Sequence, residues 1–404
     1  MNHYRKLLAH PLTVFLLTLA LTLLLMLTMG GCGGGNGGGI SGTGRDGTLR
    51  LAITDAPACG YDHVYVTVTK IRVHTSSSAA DGDSGWVDLT PTITGRIDLL
   101  TLSNGVLAEL GQVALPAGRY TQMRLVLAAN GGLGAQPNAV QPTGGAEVGL
   151  TTPSGQQSGI KLDVAIDVAA NQVADFVLDF DACKSVVRRG NSGEYNLKPV
   201  ISVVPRVTDP GLRVAGYVDG SAGAAGTSVS LQQADGTPVK ATTADADGRF
   251  LLYPVPAGTY NLLVVANGRA TMVMTGVPVV STTITNVSTQ SLPITPPLAV
   301  ATARTVSGTV TPVTASVRAL QTLSSGAKLE VAWAPVDALA GTWSMALTQA
   351  APLTLAYTAN ASTLPFVADT PVAAKYTVEA RSGATVQTQA IDVAVPVAPL
   401  AFAF

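Results

Sequence analysis

The chain has 404 residues but only 24 basic and 25 acidic side chains, a net charge of −1, alongside 42 glycines and 24 prolines. This balance leaves no basic footprint for nucleic acid, and the length suffices for two or three domains. Short alternating runs rich in Val and Thr, punctuated by Gly and Pro, predict an all-β protein built of tandem β-sandwich domains.

At the N-terminus, Arg5 and Lys6 precede an apolar run from Leu12 to Met29, which closes on Met29-Gly30-Gly31-Cys32. That order is the order of a secretory signal. The small residues ahead of Cys32 resemble a bacterial lipoprotein signal, with Met29 standing where that family usually carries Leu. The resemblance implies that residues 1–31 are removed and that Cys32 is acylated. Each buried methylene contributes about 0.8 kcal/mol, so several chains on one cysteine anchor durably. The alternative is an uncleaved membrane helix, since the run just reaches spanning length. Both readings place the bulk of the chain outside the cytoplasm. Gly33 after the cysteine resembles an outer-membrane sorting signal. Residues 32–47 then read as the lipidated Cys and a Gly-rich tether of about 20 Å reach.

Without residues 1–31 the chain loses Arg5 and Lys6 and no acids, leaving 22 basic against 25 acidic groups, or −3. His3 and His10 leave too, so a serine triad or a histidine-ligated metal would have to draw on His63 or His74. Cys59 and Cys183 remain for an oxidising compartment, where one disulfide is the simplest outcome and two buried thiols the alternative. A disulfide would close a long loop and contribute roughly 4 to 5 kcal/mol in the chain-entropy model.

The first domain is expected over residues 48–209. Leu49, Leu51 and Ile53 alternate, and Thr54-Asp55-Ala56-Pro57 stops the strand, with Asp55 placed to accept from nearby amides. Val64, Val66 and Val68 share one face while Ile71 and Val73 take the other, which predicts a bulge near Lys70. Asp81-Gly82-Asp83-Ser84 reads either as a solvated loop or as half of a calcium loop without its distal acid. Ile97 to Leu110 predicts the one short helix, with Asn104-Gly105 as its weak point. Pro116 and Gly118 turn the chain into a strand at Tyr120.

Two later strands follow, one carrying Ile160 to Val168 and one carrying Ala174, Phe176, Leu178 and Phe180 on its inner face. Asp175, Asp179 and Asp181 lie opposite, near Asp163 and Asp167. They read as a solvated outer face on a sheet edge or as a cation site.

Leu51 to Pro57, Leu115 to Tyr120 with Gln122-Met123-Arg124-Leu125, and Leu197-Lys198-Pro199-Val200 together resemble the bacterial lipoprotein family called domain of unknown function 4382. The resemblance implies an extracytoplasmic β domain and brings no catalytic residues.

A linker over Pro205 to Leu212 leads to residues 212–282. Val214 to Val218, Val229 to Leu231, the Asp247-Gly248 turn, Phe250, and Pro256-Ala257-Gly258-Thr259-Tyr260 resemble the carboxypeptidase regulatory-like domain, a transthyretin-like seven-stranded sandwich with no catalysis of its own. Residues 283–302 read as a second linker, and residues 303–404 as a third sandwich, a diverged repeat of the second. Gly308 answers Gly216, Trp343 falls near Phe250, and Tyr376 answers Tyr260, with about 23 extra residues between. Trp333 and Trp343 suit either a sugar-stacking face or a core.

The expected function is non-enzymatic binding, adhesion or spacing at the cell envelope, with a glycan or an envelope protein as partner and no cofactor. The alternatives are a carboxylate-dependent polysaccharide-active enzyme centred on Asp179 and a calcium-stabilised adhesin.

Overall fold

A computed structural model describes residues 46–55, 60–132, 134–153, 155–206, 209–219, 226–299 and 303–404. The signal, Cys32, the tether as far as residue 45 and Cys59 lie outside the described residues; Asp46 and Gly47, expected at the end of the tether, already pair with β6 as the start of β1. The protein is nearly all β, in several separate sheets consistent with tandem sandwiches.

The first domain holds β1 (Asp46–Asp55), β2 (Tyr61–Val66), β3 (Val68–His74), β4 (Val87–Leu89), β5 (Ile97–Asp98), β6 (Ala108–Pro116) and β7 (Gly118–Leu127). It continues with β8 (Ala139–Pro142), β9 (Val148–Thr151), β10 (Ile160–Val168), β11 (Val173–Phe180), the short helix α1 (Ala182–Ser185), β12 (Val186–Arg188), β13 (Tyr195–Leu197) and β14 (Ile201–Pro205). Three sheets, in the orders β14-β11-β1-β6, β10-β7-β3-β4 and β12-β13-β9-β8-β2-β5, share one core in which Leu49, Leu51, Ile53, Leu125 and Phe180 are fully buried. The alternation in β1 drives this arrangement, because every second side chain faces that core.

The phase flip between Val68 and Ile71 has two causes. The chain changes sheets at Thr67, and a register shift between Val68 and Lys70 leaves Thr69 as the extra residue against β7. The expected helix over 97–110 does not form. Leu99–Leu102 make a single 3₁₀ turn, and β6 begins at Ala108. Asn104 (φ 55°) and Gly105 (φ 76°) both adopt the left-handed region, which reverses the chain before a second helical turn can close. The Asp55 carboxylate accepts from the distant Ala182 N–H at 2.9 Å, while the turn expected after it lies outside the described residues.

The second domain comprises β15 (Val214–Tyr217), β16 (Ser228–Gln232), β17 (Pro238–Thr243), β18 (Arg249–Leu252), β19 (Gly258–Val265), β20 (Met272–Val279) and β21 (Thr285–Asn286). One sheet is β18-β15-β21, and the other begins β17-β16-β19-β20. The expected linker over 283–302 is therefore largely part of this sandwich. β21 pairs in parallel with β15, Ile294 bridges Val218, and Val287 and Ile294 are buried in its core. Its Thr and Pro content describes an edge with apolar anchors.

The third domain comprises β22 (Arg304–Thr311), β23 (Ser316–Thr322), β24 (Lys328–Ala334), β25 (Thr342–Leu347), β26 (Leu353–Ala356), β27 (Val367–Ala368), β28 (Lys375–Ser382), β29 (Thr385–Asp392) and β30 (Leu400–Ala403). Its sheets, β25-β22-β30 and β24-β23-β28-β29, repeat the order and strand directions of the second domain. The likeness reaches single residues. Gly216 pairs with Phe250 and Gly308 with Trp343, and a Cβ on either glycine would collide with the aromatic ring beside it. Trp343 is 3% exposed and belongs to the third core.

The 23 extra residues contain β26 and β27, which leave their own sandwich. β26 runs parallel to β20, Met272 beside Leu353 through Thr275 beside Ala356, and β27 extends the same sheet. Leu263, Val273, Leu323 and Leu329 form a small core shared by the second and third domains.

Candidate functional site: the junction of three domains

β11 is an interior strand between β1 and β14, so its outer face is not a sheet edge. With Ala174, Phe176, Leu178 and Phe180 facing the first core, alternation turns Asp175, Val177 and Asp179 outward. Part of that face is covered. Lys240 on β17 of the second domain donates to Asp179 at 2.7 Å, with the two side chains 2% and 9% exposed. The reading of a solvated acidic face is corrected accordingly, because the acids of β11 meet cations drawn from neighbouring elements. Asp175 is held by Arg50, whose Nε donates at 3.0 Å.

Asp181 lies just past the strand and caps α1, its carboxylate accepting from the Lys184 N–H at 2.9 Å. Burial pushes the carboxyl of Asp181 upward against the pull of the Lys184 charge, and burial pushes Asp55 well up against the pull of its bond from Ala182. Lys184 in turn donates to Glu330 of β24 at 2.6 Å and stands 4.8 Å from the centre of the Trp333 ring. Arg318 of β23 contacts Glu330 at 3.3 Å and Glu379 of β28 at 2.8 Å. A chain of alternating charge thus runs from the first domain into the third, while Lys240 secures the second.

Neutral contacts reinforce it. The Gln232 side chain bonds the Glu330 backbone in both directions, at 2.9 and 2.8 Å, as a strand neighbour would. The Asn104 turn docks on the second domain: its backbone N–H donates to the Thr242 hydroxyl at 2.9 Å, and its side-chain Oδ1 accepts from the Leu251 N–H at 3.1 Å. Gly190 donates to Asp337 at 2.6 Å. A cavity of about 390 Å³ remains where the domains meet, lined by Tyr61, Lys184, Ser230, Leu263, Glu330 and Trp333 among others.

The arrangement fastens the three domains through ion pairs. A retaining glycosidase needs two carboxyl groups roughly 5 Å apart across an open cleft. Asp175 and Asp179 are each taken by a basic partner, and Asp181 caps a helix. Among the described residues no group of three or more His, Cys, Asp or Glu is placed to hold a metal ion. In the Asp81 loop, Asp81 accepts from Arg72 of β3 at 2.7 Å and Asp83 from the Ala80 N–H at 2.8 Å, so both acids are engaged by nearby protein groups. His63 sits 2.6 Å from Asp98, stacked on Tyr65, and His74 accepts from the Ser76 N–H at 2.8 Å.

Sequence reasoning missed Lys184, Lys240, Gln232, Glu330 and Arg318. A usable signal existed: in a region almost free of charge, Arg318, Glu330 and Glu379 stand within strand runs that otherwise alternate apolar residues. Cys183 lies in α1 and is not a free side chain.

A family model described as "Domain of unknown function (DUF4382)" matches residues 46–199, which is the first domain without its last strand, β14. No curated protein sequence matches the chain. Two solved structures of interface mutants of a type II cohesin–X-dockerin complex from Acetivibrio cellulolyticus are similar at 26% identity, over 22% of this chain and 59% of theirs, with TM-scores of 0.19. The Bacillus anthracis TIE protein is similar at 11% identity, over 89% of this chain and 49% of that one, with a TM-score of 0.16. The chain thus spans less than two thirds of the length of each.

Proposed function

We propose that this chain is a bacterial envelope lipoprotein, anchored through acylated Cys32 at the outer membrane, whose fastened β domains act by binding or spacing without catalysis. The observation that carries the reading is the junction itself. Its carboxylates and cations are spent on holding three domains together, which suits a part that presents a fixed surface. Among the described residues no helix is long and apolar enough to cross a membrane.

Residues 212–282 are assigned to the carboxypeptidase regulatory-like class, supported by their six strands, which β21 completes to seven in a three-on-four sandwich, and by the Tyr260 hydroxyl donating to the Pro256 carbonyl at 3.0 Å within the Pro-Ala-Gly turn. Cys183 is assigned a disulfide with Cys59, a pairing supported by Cys183 being engaged rather than free. The partner is a glycan or an envelope protein.

Two measurements test the reading. Intact mass of native material should start at Cys32 with acyl chains attached, and a glycan and envelope-protein screen on the mature chain should return a saturable ligand that is released unchanged. Retention of residues 1–31, or turnover of a polysaccharide, would contradict it.

A further inference from the structure

β20 and β29 close equivalent four-stranded sheets, but their outer edges differ. β20 gives its free edge to β26, whereas among the described residues no strand pairs with the outer edge of β29. An exposed edge of this length is ordinarily protected by Lys, Pro or a bulge. β29 reads Thr385-Val386-Gln387-Thr388-Gln389-Ala390-Ile391-Asp392, uncharged up to its last residue, and it pairs with β28 along all eight residues without a register break. The same strand protects a different edge. The Gln387 and Gln389 amides donate to the Ala403 and Ala401 carbonyls of β30, the latter at 3.1 Å. Val386 and Phe404, each 38% exposed, add large apolar surface at this end of the sandwich.

About Thr388 the strand carries Gln387 and Gln389 on either side, with Val386 and Ala390 beyond them. Antiparallel pairing with a second β29 around a two-fold axis at that residue would set Thr388 against Thr388, Gln387 against Gln389 and Val386 against Ala390. An axis one half-step along would set Gln387 against Ala390. We propose that β29 joins two copies of this chain edge to edge, so that two four-stranded sheets become one sheet of eight strands. The partner is a second copy because the strand complements itself, and because the arm that covers β20 is already engaged within its own chain. The proposal does not depend on the lipid anchor or on the identity of any ligand.

Disulfide trapping in the full-length chain tests the register. Residues opposite across an antiparallel pair have Cβ atoms about 5 Å apart. Thr388→Cys should therefore yield, on mild oxidation, a reducible species of twice the chain mass. Thr385→Cys should not, because its two copies would lie six positions apart, about 20 Å. Thr388→Lys, which places like charges face to face, should convert a sedimenting dimer to a monomer while leaving the melting temperature within a few degrees of wild type. A wild-type chain that sediments as a monomer, or equal trapping of the two cysteine variants, would overturn the proposal. So would a Thr388→Lys chain that melts like wild type and stays dimeric.

Discussion

The second and third sandwiches have one topology and two surroundings. In the second, Tyr260 anchors to a carbonyl four residues back and the chain turns at once into β19. In the third, Tyr376 reaches the Thr348 carbonyl at 2.6 Å, at the base of the arm that carries β26 across to β20. The two also approach the first domain with opposite charge, since β17 brings Lys240 to an acid and β24 brings Glu330 to a cation. A repeated fold therefore specifies its own core, while a few charges and one insertion specify how the copies join.

The sharpest way to break the comparison is at those charges. Lys240→Ala leaves Asp179 buried without a partner and should cost about 3–5 kcal/mol of unfolding free energy. Glu330→Ala should cost less, because Lys184 keeps Asp181 at 3.8 Å and Arg318 keeps Glu379. Denaturant titration of both variants checks the order. Removing the exposed Arg119–Asp167 pair should cost well under 1 kcal/mol.

The glycine pair gives the next largest effect. An added Cβ at Gly216 would meet side-chain atoms that can yield, with Phe250 Cζ at 2.5 Å, whereas at Gly308 it would meet the Leu400 carbonyl of β30 as well as Trp343. Overpacking of this kind costs about 1–3 kcal/mol. Gly308→Ala should fall at the top of that range and Gly216→Ala below it, as thermal melts of the two variants will show.

Smaller again are the tyrosines, each hydrogen bond contributing about 1 kcal/mol. Burial raises the Tyr376 hydroxyl to about 12, so it stays a donor through the neutral range. Tyr376→Phe should expose the amides of β20 to hydrogen exchange as the arm loosens. Tyr260→Phe should leave that arm protected.

The last prediction concerns pH. Burial pushes the Asp337 carboxyl up, but backbone N–H groups of Ala340, Leu339 and Gly190 outweigh it and hold the carboxyl below its usual range. A depressed folded value contributes stability above the unfolded value near 4 and loses it as pH falls through the folded one. Asp337→Asn should therefore be less stable than wild type at pH 7, by about 1 kcal/mol, and should converge with it in stronger acid.

Much of the fold was legible because period-two alternation is local. Leu49 to Ile53, Phe250 and the Tyr260 turn announce core and corner without reference to distant chain. The bulge beside Lys70 was legible for the same reason. The helix over 97–110 misled because its leucine spacing suits a helical stripe, while the left-handed turn at Asn104-Gly105 and the pairing of β6 with β1 decided the outcome. The Asp175 to Asp181 set was visible as acids but not as partners, since Lys240 and Lys184 reach it through tertiary contacts that no spacing encodes. The extra residues before Tyr376 were countable, yet their destination on β20 was not.

Calorimetry on the chain from Gly33 onward tests most directly whether the three sandwiches unfold as one unit. A shared junction predicts a single endotherm whose calorimetric and van't Hoff enthalpies agree, and Lys240→Ala should move the whole of it downward. Separate transitions, with only one displaced by that substitution, would contradict the account.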